Sequence, residues 1–157
     1  MKKFKKILVP TDFSEAAERA LEYAFTFASA MDLDILLLHV IDGGPVQAMP
    51  YAHEEFKQEY RDRMSHEDMA REAKKVLEGE KQKGVTYDRK LNVTTHVREG
   101  VTYDQIVKVA RDKEVDFIVM GAKGLTALEE MFIGGVAEKV SRRAPCPVFL
   151  VRRRRKD

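Results

Sequence analysis

The chain has 157 residues, of which 44% are hydrophobic and 34% charged, so one domain with a packed core and a well-solvated surface is expected. No apolar run approaches the roughly 18 residues of a membrane span, and the charged N-terminus leads into a short strand instead of a signal-peptide core. These features predict a cytoplasmic protein. The single cysteine, Cys146, excludes an intramolecular disulfide and a cysteine-rich metal site.

The net charge of +2 hides a basic C-terminus. Residues 152–157 hold five of the 28 basic residues and one of the 26 acidic ones, so the remainder has 23 basic and 25 acidic residues. Four arginines without aromatic neighbours are more typical of a solvated end than of a nucleic-acid or lipid site. We therefore predict a domain over residues 1–151 and a disordered basic tail over residues 152–157, and expect neither nucleic acid nor a membrane as partner.

The first elements are two buried strands around a helix. Ile7 to Pro10 is a short apolar run that suits a strand covered on both faces. Ser14 is a good N-cap, and small apolar residues then recur at helical spacing as far as Ala28. Asp34 to Ile41 predicts the second strand, and the glycines and proline after it predict a loop.

The middle of the chain predicts two further helices and a strand. His53 to Lys83 reads as one long charged helix with Gly84 as its C-cap. Leu91 to Val97 alternates and predicts the third strand. Thr102 and Gln105 have the spacing of a capping box and would begin the next helix.

The last third predicts a strand over 115–120, a helix over 135–143 and a closing strand over 147–151. Strands that alternate with helices imply a parallel sheet with helices on both faces. In such sheets ligands bind beyond the carboxyl ends of the strands. Three segments should meet there: Pro10 to Asp12, Val40 to Asp42, and Met120 to Gly124.

The strongest chemical signal is a set of spaced glycines after the fourth strand. Gly121 and Gly124 are followed, after nine residues, by Gly134 and Gly135, which precede a helix. Glycine lets backbone approach a ligand closely, and a helix N-terminus offers unpaired N–H groups and a positive dipole end. This segment, with Lys123 inside it, is the predicted phosphate site.

Two positions at the neighbouring strand ends have alternative interpretations. Asp12 either serves a ligand, by accepting hydrogen bonds from a ribose or helping to position a metal, or caps the turn into the first helix. Val40 offers a ligand only its backbone groups, which suit the edge of an adenine ring. His39 and His96 lie within predicted strands and are expected to be hydrogen-bonded in the fold, and no cluster has metal-ligand spacing.

These segments together resemble the universal stress protein family. The run from Ile7 to Ser14 is similar to that family's first strand and turn, and Leu37 to Ile41 to its second strand. The glycine segment from Met120 to Gly134 is similar to the motif of the ATP-binding subgroup, and Pro147 to Val151 to the closing strand.

The resemblance implies an open sheet of five parallel strands in the order 3-2-1-4-5, and a homodimer formed by antiparallel pairing of the last strands, Pro147 to Val151. It also implies a bound adenine nucleotide, ATP or AMP, with the ribose and adenine on the side of Asp12 and Val40 and the phosphates on the glycine segment. The implied contacts are made by Pro10, Thr11, Asp12, Val40, Met120, Gly121, Gly124, Gly134, Gly135 and Val136.

One position departs from the family pattern. Gly135 stands where the nucleotide-binding subgroup has serine or threonine, so a hydroxyl donor to a terminal phosphate is missing. Gly135 keeps its backbone N–H, and anion binding is still expected. A preference for triphosphate and a role for Mg²⁺ do not follow from the resemblance.

Four functions compete on this basis. The first is a nucleotide-binding stress protein without catalytic activity, which works through its dimer state or an unidentified protein partner. The second is a slow nucleotide hydrolase, for which we find no general base with a supporting neighbour. The third is an interaction module that binds no nucleotide, and the fourth is a relative of the electron-transfer flavoproteins. No catalytic residue and no metal ligand is predicted.

Overall fold

The computed structural model describes residues 1–42, 65–88, 90–123 and 132–152. This part of the chain forms five parallel strands in the order β3-β2-β1-β4-β5, with four helices between them, which confirms the predicted sheet. The strands are β1 (Lys6–Pro10), β2 (Asp34–Ile41), β3 (Val93–Glu99), β4 (Phe117–Gly121) and β5 (Val148–Val151). The helices are α1 (Glu15–Met31), α2 (His66–Tyr87), α3 (Thr102–Asp112) and α4 (Gly135–Arg143).

Helices cover both faces of the sheet, as expected. Alternate residues of each central strand point to opposite faces, so the apolar residues of β1 and β2 contribute to two separate cores. The core on one face, built with α1 and α2, includes Ile7, Val9, Ile35, Leu37, Val93, Val119, Leu21, Phe25 and Leu77. The core on the other face, built with α3 and α4, includes Leu8, Leu36, Leu38, Ile118, Met120, Ile106, Val109, Ala137 and Val140.

The prediction of a single helix from His53 to Lys83 is wrong. Residues 53–64 lie outside the described residues, and α2 begins only after Ser65, whose extended backbone and side chain form an N-cap. Ser65 and Asp68 satisfy each other's backbone N–H groups in a capping box. This capping box begins α2 at His66, within a region whose charged composition predicts one continuous helix.

Gly84 lies inside α2 and is not its C-cap. The helix continues to Tyr87, and the backbone N–H of Asp88 donates to the Gly84 carbonyl. A Cβ atom at position 84 would lie 2.7 Å from Cε1 of Phe25 in the core below. Glycine is therefore explained by the close approach of α2 to Phe25 and not by the end of a helix.

The start of α3 and the ends of two strands also differ from expectation. Thr102 is the first helical residue and Val101 the N-cap, with no side-chain capping bond, so the predicted capping box with Gln105 is wrong. The third strand is shifted by two residues at each end, from the predicted Leu91–Val97 to Val93–Glu99. The fourth begins at Phe117 and not at residue 115, and the carboxylate of the preceding Asp116 accepts hydrogen bonds from the backbone of Lys5 and Lys6.

The last strand begins at Val148, one residue later than expected, and ends at Val151 as predicted, and α4 has the predicted bounds. Within the ranges described, no helix is both long and apolar enough to cross a bilayer. Of the predicted basic tail only Arg152 is described, and its carbonyl accepts a hydrogen bond from the Arg19 guanidinium. The division into a domain and a disordered tail stays a prediction.

Candidate functional site

The carboxyl ends of β1, β2 and β4 meet at one edge of the sheet. β1 lies between β2 and β4 in the sheet. The chain adds β2 on one side of β1, and later adds β4 on the other side. The Thr11 N–H donates to the Leu38 carbonyl at 2.8 Å and holds the segment after β1 against β2. A reversal of strand order at this point opens the crevice in which open α/β sheets bind ligands.

The turn after β1 is fixed by its own side chains. The Phe13 N–H donates to Thr11 Oγ1 at 3.0 Å, and the Ser14 N–H donates to Asp12 Oδ1 at 3.0 Å. Ser14 then caps α1 by accepting from the Ala17 N–H. Asp12 thus fulfils the capping interpretation with one carboxylate oxygen, in a half-buried position at the strand end. The ribose interpretation remains a prediction.

Phe13 stores backbone strain in this turn. Its φ of 61° lies in the left-handed region, which costs a residue with a side chain about 1–2 kcal/mol. The Phe13 ring packs on the imidazole of His39 with 4.7 Å between ring centroids. The surrounding contacts therefore hold the turn in a conformation that an isolated peptide would avoid.

His39 is buried on β2, with 8% of its surface exposed, and its Nδ1 lies 2.8 Å from the Thr11 carbonyl oxygen. A carbonyl oxygen only accepts, so Nδ1 carries the proton and donates it. Burial lowers the pKa of His39 below its ordinary value of 6.5, against smaller opposing effects of the Thr11 bond, Asp12 and Asp42. The ring is neutral at pH 7. The prediction that His39 is hydrogen-bonded within the fold is confirmed.

The lowered pKa of His39 predicts a pH-dependent stability. The folded protein binds this proton less readily than the unfolded chain, so the free energy of unfolding is fully retained above pH 6.5 and falls as the pH drops below that value. We expect urea unfolding to show a smaller free energy at about pH 5.5 than at about pH 7.5, and His39→Asn to reduce that difference. An unchanged pH difference in the variant would contradict this assignment.

The same window contains a second histidine, which serves as a comparison. Burial, Lys113 and Arg98 lower the pKa of His96 as well, so His96→Asn should remove a further, separate part of the slope. The carboxylates whose pKa is lowered, such as that of Asp116, start from 3.8 and affect stability only in stronger acid.

Gly121 brings the end of β4 against the start of α1. A Cβ atom at position 121 would lie 3.0 Å from the Cβ of Ala16, 3.1 Å from its carbonyl carbon and 3.2 Å from the Ala17 nitrogen. Two of these neighbours are helix backbone, which moves little, so this position requires glycine. Met120, the preceding residue, is buried in the opposite core, so only its backbone is placed at the edge.

The N-terminus of α4 returns to the end of β4. The Gly134 N–H donates to the Ala122 carbonyl at 2.7 Å, and Gly134 is the N-cap of α4. Within the described part of the chain no side chain caps this helix, because Gly134 and Gly135 have none to offer. The first-turn N–H groups and the positive end of the helix dipole are thus available to an anion.

Lys123 is the positively charged residue that directly follows the backbone contact between Ala122 and Gly134. It follows Ala122, and its Nζ is buried although the residue as a whole is partly exposed. Among the described residues, this Nζ has no hydrogen-bond partner. A buried ammonium group without a partner is costly, and an anionic ligand would remove that cost.

The structure thus brings most predicted site residues to one edge: Pro10, Thr11, Asp12, Val40, Met120, Gly121, Lys123, Gly134, Gly135 and Val136. Gly124 lies outside the described residues. Among those described, no three His, Cys, Asp or Glu side chains are grouped to hold a metal. Sequence reasoning did not identify His39 as a neighbour of the site; its only signal was a histidine near the end of a buried strand.

Comparison with known proteins gives one consistent result. The sequence model of the universal stress protein family matches residues 3–152. The chain is 34% identical over 163 residues to the universal stress protein MJ0577 of Methanocaldococcus jannaschii, with 96% of both chains covered. The solved structure of hypothetical protein MJ0577 superimposes with a TM-score of 0.78 at 35% identity, covering 99% of this chain and 100% of that one.

Two further solved structures are similar. Universal stress protein UspA from Lactobacillus plantarum gives a TM-score of 0.76 at 27% identity, covering 97% of this chain and all of its own. The universal stress protein from Archaeoglobus fulgidus in complex with dAMP gives 0.67 at 23% identity, covering 96% and 100%, and shows the fold alone. With a family match over almost its whole length and a relative at 34% identity, the chain belongs to the universal stress protein family.

Proposed function

We propose that this chain binds an adenine nucleotide at the carboxyl edge of the sheet and works as a cytoplasmic homodimer without rapid turnover. The observation that carries the proposal is that two positive groups at this edge, the Lys123 Nζ and the N-terminus of α4, have no side-chain partner among the described residues. The buried Nζ of Lys123 has no partner among the described residues. Lys123 directly follows Ala122, whose carbonyl accepts a hydrogen bond from the N-cap residue of α4. A phosphate would accept from the ammonium group and from the first-turn N–H groups together.

The other side of the edge suits a nucleoside. Asp12, held by the Ser14 N–H through one oxygen, is a carboxylate of the kind that accepts ribose hydroxyl bonds. Val40 is half-buried near the end of β2, where its backbone would face an adenine edge. The A. fulgidus relative solved with dAMP shows that this fold accommodates an adenine nucleotide. Which nucleotide this chain takes depends on its phosphate contacts.

Turnover is expected to be slow. Asp12, at the end of β1, is assigned to the ribose side and already accepts a backbone bond, so it is poorly placed to activate water at a terminal phosphate. Phosphate release from ATP should therefore stay below about 1 per second, the lower end of ordinary enzymes. Faster release would favour the hydrolase alternative.

Calorimetry tests the binding proposal. Protein that has been unfolded, freed of any co-purified ligand and refolded is titrated with ATP, ADP, AMP and adenosine. The proposal expects one nucleotide per protomer and tighter binding of the three nucleotides than of adenosine. If folded, ligand-free protein gives no heat with any of the four, the chain is an interaction module of the same fold.

The proposed dimer uses the exposed edge of β5. β5 is the last strand of the sheet and pairs only with β4 in the described structure, so its other edge presents backbone groups to a second strand. Phe149 is 46% exposed on this strand, and its ring lies 5.3 Å from that of Phe27 and 6.1 Å from that of Tyr23. An exposed aromatic group beside an open strand edge is typical of a protein interface.

Phe149→Asp is expected to convert the dimer into a monomer. Two buried carboxylates facing each other across a two-fold axis would be strongly unfavourable. Light scattering at micromolar concentration should give twice the chain mass of 18.0 kDa for the original protein and the single mass for the variant.

Val85→Asp is the matched control, because Val85 is an exposed apolar residue on α2. It should leave the dimer intact. Val151 is unsuitable as an interface probe, since only 4% of it is exposed and it belongs to the core under α1. A dimer that survives Phe149→Asp would place the interface elsewhere.

A further inference from the structure

His39 holds the turn that presents Asp12. Its Nδ1–H donates to the carbonyl oxygen of Thr11, the residue before Asp12, at 2.8 Å. On its other side, the imidazole packs against the Phe13 ring, the residue after Asp12. One buried side chain thus contacts the residues on both sides of the carboxylate.

The turn depends on such external support. Phe13 has a φ of 61°, which a residue with a side chain adopts only when its surroundings require it. The local bonds from the Phe13 N–H to Thr11 Oγ1 and from the Ser14 N–H to Asp12 Oδ1 fix the shape of the turn. The contacts from His39 fix its position relative to β2 and therefore relative to Val40.

We propose that His39 is a positioning residue for nucleotide binding: through the Thr11 carbonyl and the Phe13 ring it sets the place of Asp12 on the ribose side of the site. The inference rests on the proposed function. The proposed function does not include a residue that acts through its neighbours, as His39 does here. Loss of His39 should weaken binding of the nucleoside part of the ligand but not of the phosphates.

Two substitutions separate the hydrogen bond from the packing. His39→Asn keeps an N–H donor close to the position of Nδ1, whereas His39→Leu keeps an apolar group of similar size and removes the donor. His96→Leu is the control, because His96 lies on the neighbouring strand β3 and pairs in register with Leu38. Melting temperatures of all three identify any variant that is not folded.

Loss of one neutral hydrogen bond predicts about fivefold weaker binding for His39→Leu. The factor should be the same for adenosine, AMP and ATP, because the turn serves the part of the ligand that all three share. His39→Asn and His96→Leu should bind within about twofold of the original protein. Adenosine affinity unchanged in a folded His39→Leu variant, or an equal loss in His39→Asn, would overturn the proposal.

A second measurement needs no ligand. The amide and Cα protons of Phe13 lie closer together at positive φ than at negative φ, so the intraresidue nuclear Overhauser effect between them, measured by NMR of ligand-free protein, reports the sign of φ. His39→Leu should weaken this effect toward that of ordinary negative φ, and His39→Asn should preserve it. A Phe13 that keeps its positive φ in His39→Leu would contradict the role of His39 even if the protein bound no nucleotide. Absence of nucleotide binding in the original protein would instead refute only the proposed function.

Discussion

Lys123→Met is expected to make the ligand-free protein more stable and its binding of ATP weaker. Methionine has a similar length and no charge, so it removes a buried ammonium group that has no partner among the described residues. An unsatisfied buried donor costs about 1–3 kcal/mol, and each kcal/mol raises the Tm of a domain of this size by about 2–4 °C. Thermal unfolding of ligand-free protein measures this gain.

The same substitution should weaken binding of ATP and AMP by about 10- to 100-fold, because a hydrogen bond to a charged group contributes about 1.5–3 kcal/mol. Adenosine has no phosphate and should bind as before. Lys74→Met, at an exposed position of α2, is the control and should change neither stability nor affinity appreciably. A destabilised Lys123→Met protein, or unchanged ATP affinity, would contradict the proposal that Lys123 binds a phosphate of the ligand.

Gly135→Ser is expected to raise the affinity for ATP relative to AMP by about tenfold. The added hydroxyl would supply a further donor for a terminal phosphate at the start of α4. A side chain at position 135 would not clash with the described residues. A Cβ atom at position 135 meets no atom of the described residues within 4 Å, and Gly135 has no positive φ that would require glycine.

Gly135→Ala is the matched control for the hydroxyl. Both substitutions add a Cβ atom to the first residue of α4, and both should stabilise the helix by up to about 1 kcal/mol through propensity alone. Only serine adds a donor. Calorimetry with ATP and AMP on both variants therefore isolates the hydroxyl, and an identical ATP to AMP ratio in the two would show that it does not set phosphate preference.

The sheet was predictable because its central strands are apolar on both faces. The segments Ile7 to Pro10 and Asp34 to Ile41 contain short apolar runs, which are typical of strands covered on both faces. Both segments are strands in the structure. The strand order, in contrast, came from the family resemblance, since the apolar pattern alone does not determine which strands are neighbours.

Features decided by distant contacts were missed. Gly84 looks like a helix end, but it is glycine because Phe25, far away in the chain, comes within reach of it. The start of α2, in contrast, had a local signal, the capping box of Ser65 and Asp68, which the charged helical pattern around it concealed.

The sequence predicted the residues of the candidate site but not the contacts that their side chains make. The glycine spacing and strand ends predicted which segments would lie at this edge, because parallel strands bring their carboxyl ends together whatever the loops do. The burial of the Lys123 Nζ and the hydrogen bond from His39 to Thr11 depend on side-chain positions that only three-dimensional packing determines.

An NMR titration of isotope-labelled, ligand-free protein with ADP tests the central claim most directly, because it reports both binding and location. The account predicts that the amide signals of Asp12, Val40 and Lys123 and those at the start of α4 (Gly135–Arg143) shift together and saturate at one nucleotide per protomer. Signals of α2 (His66–Tyr87) should stay where they are. Shifts confined to residues away from the carboxyl edge of the sheet, or no shifts at saturating ADP, would contradict it.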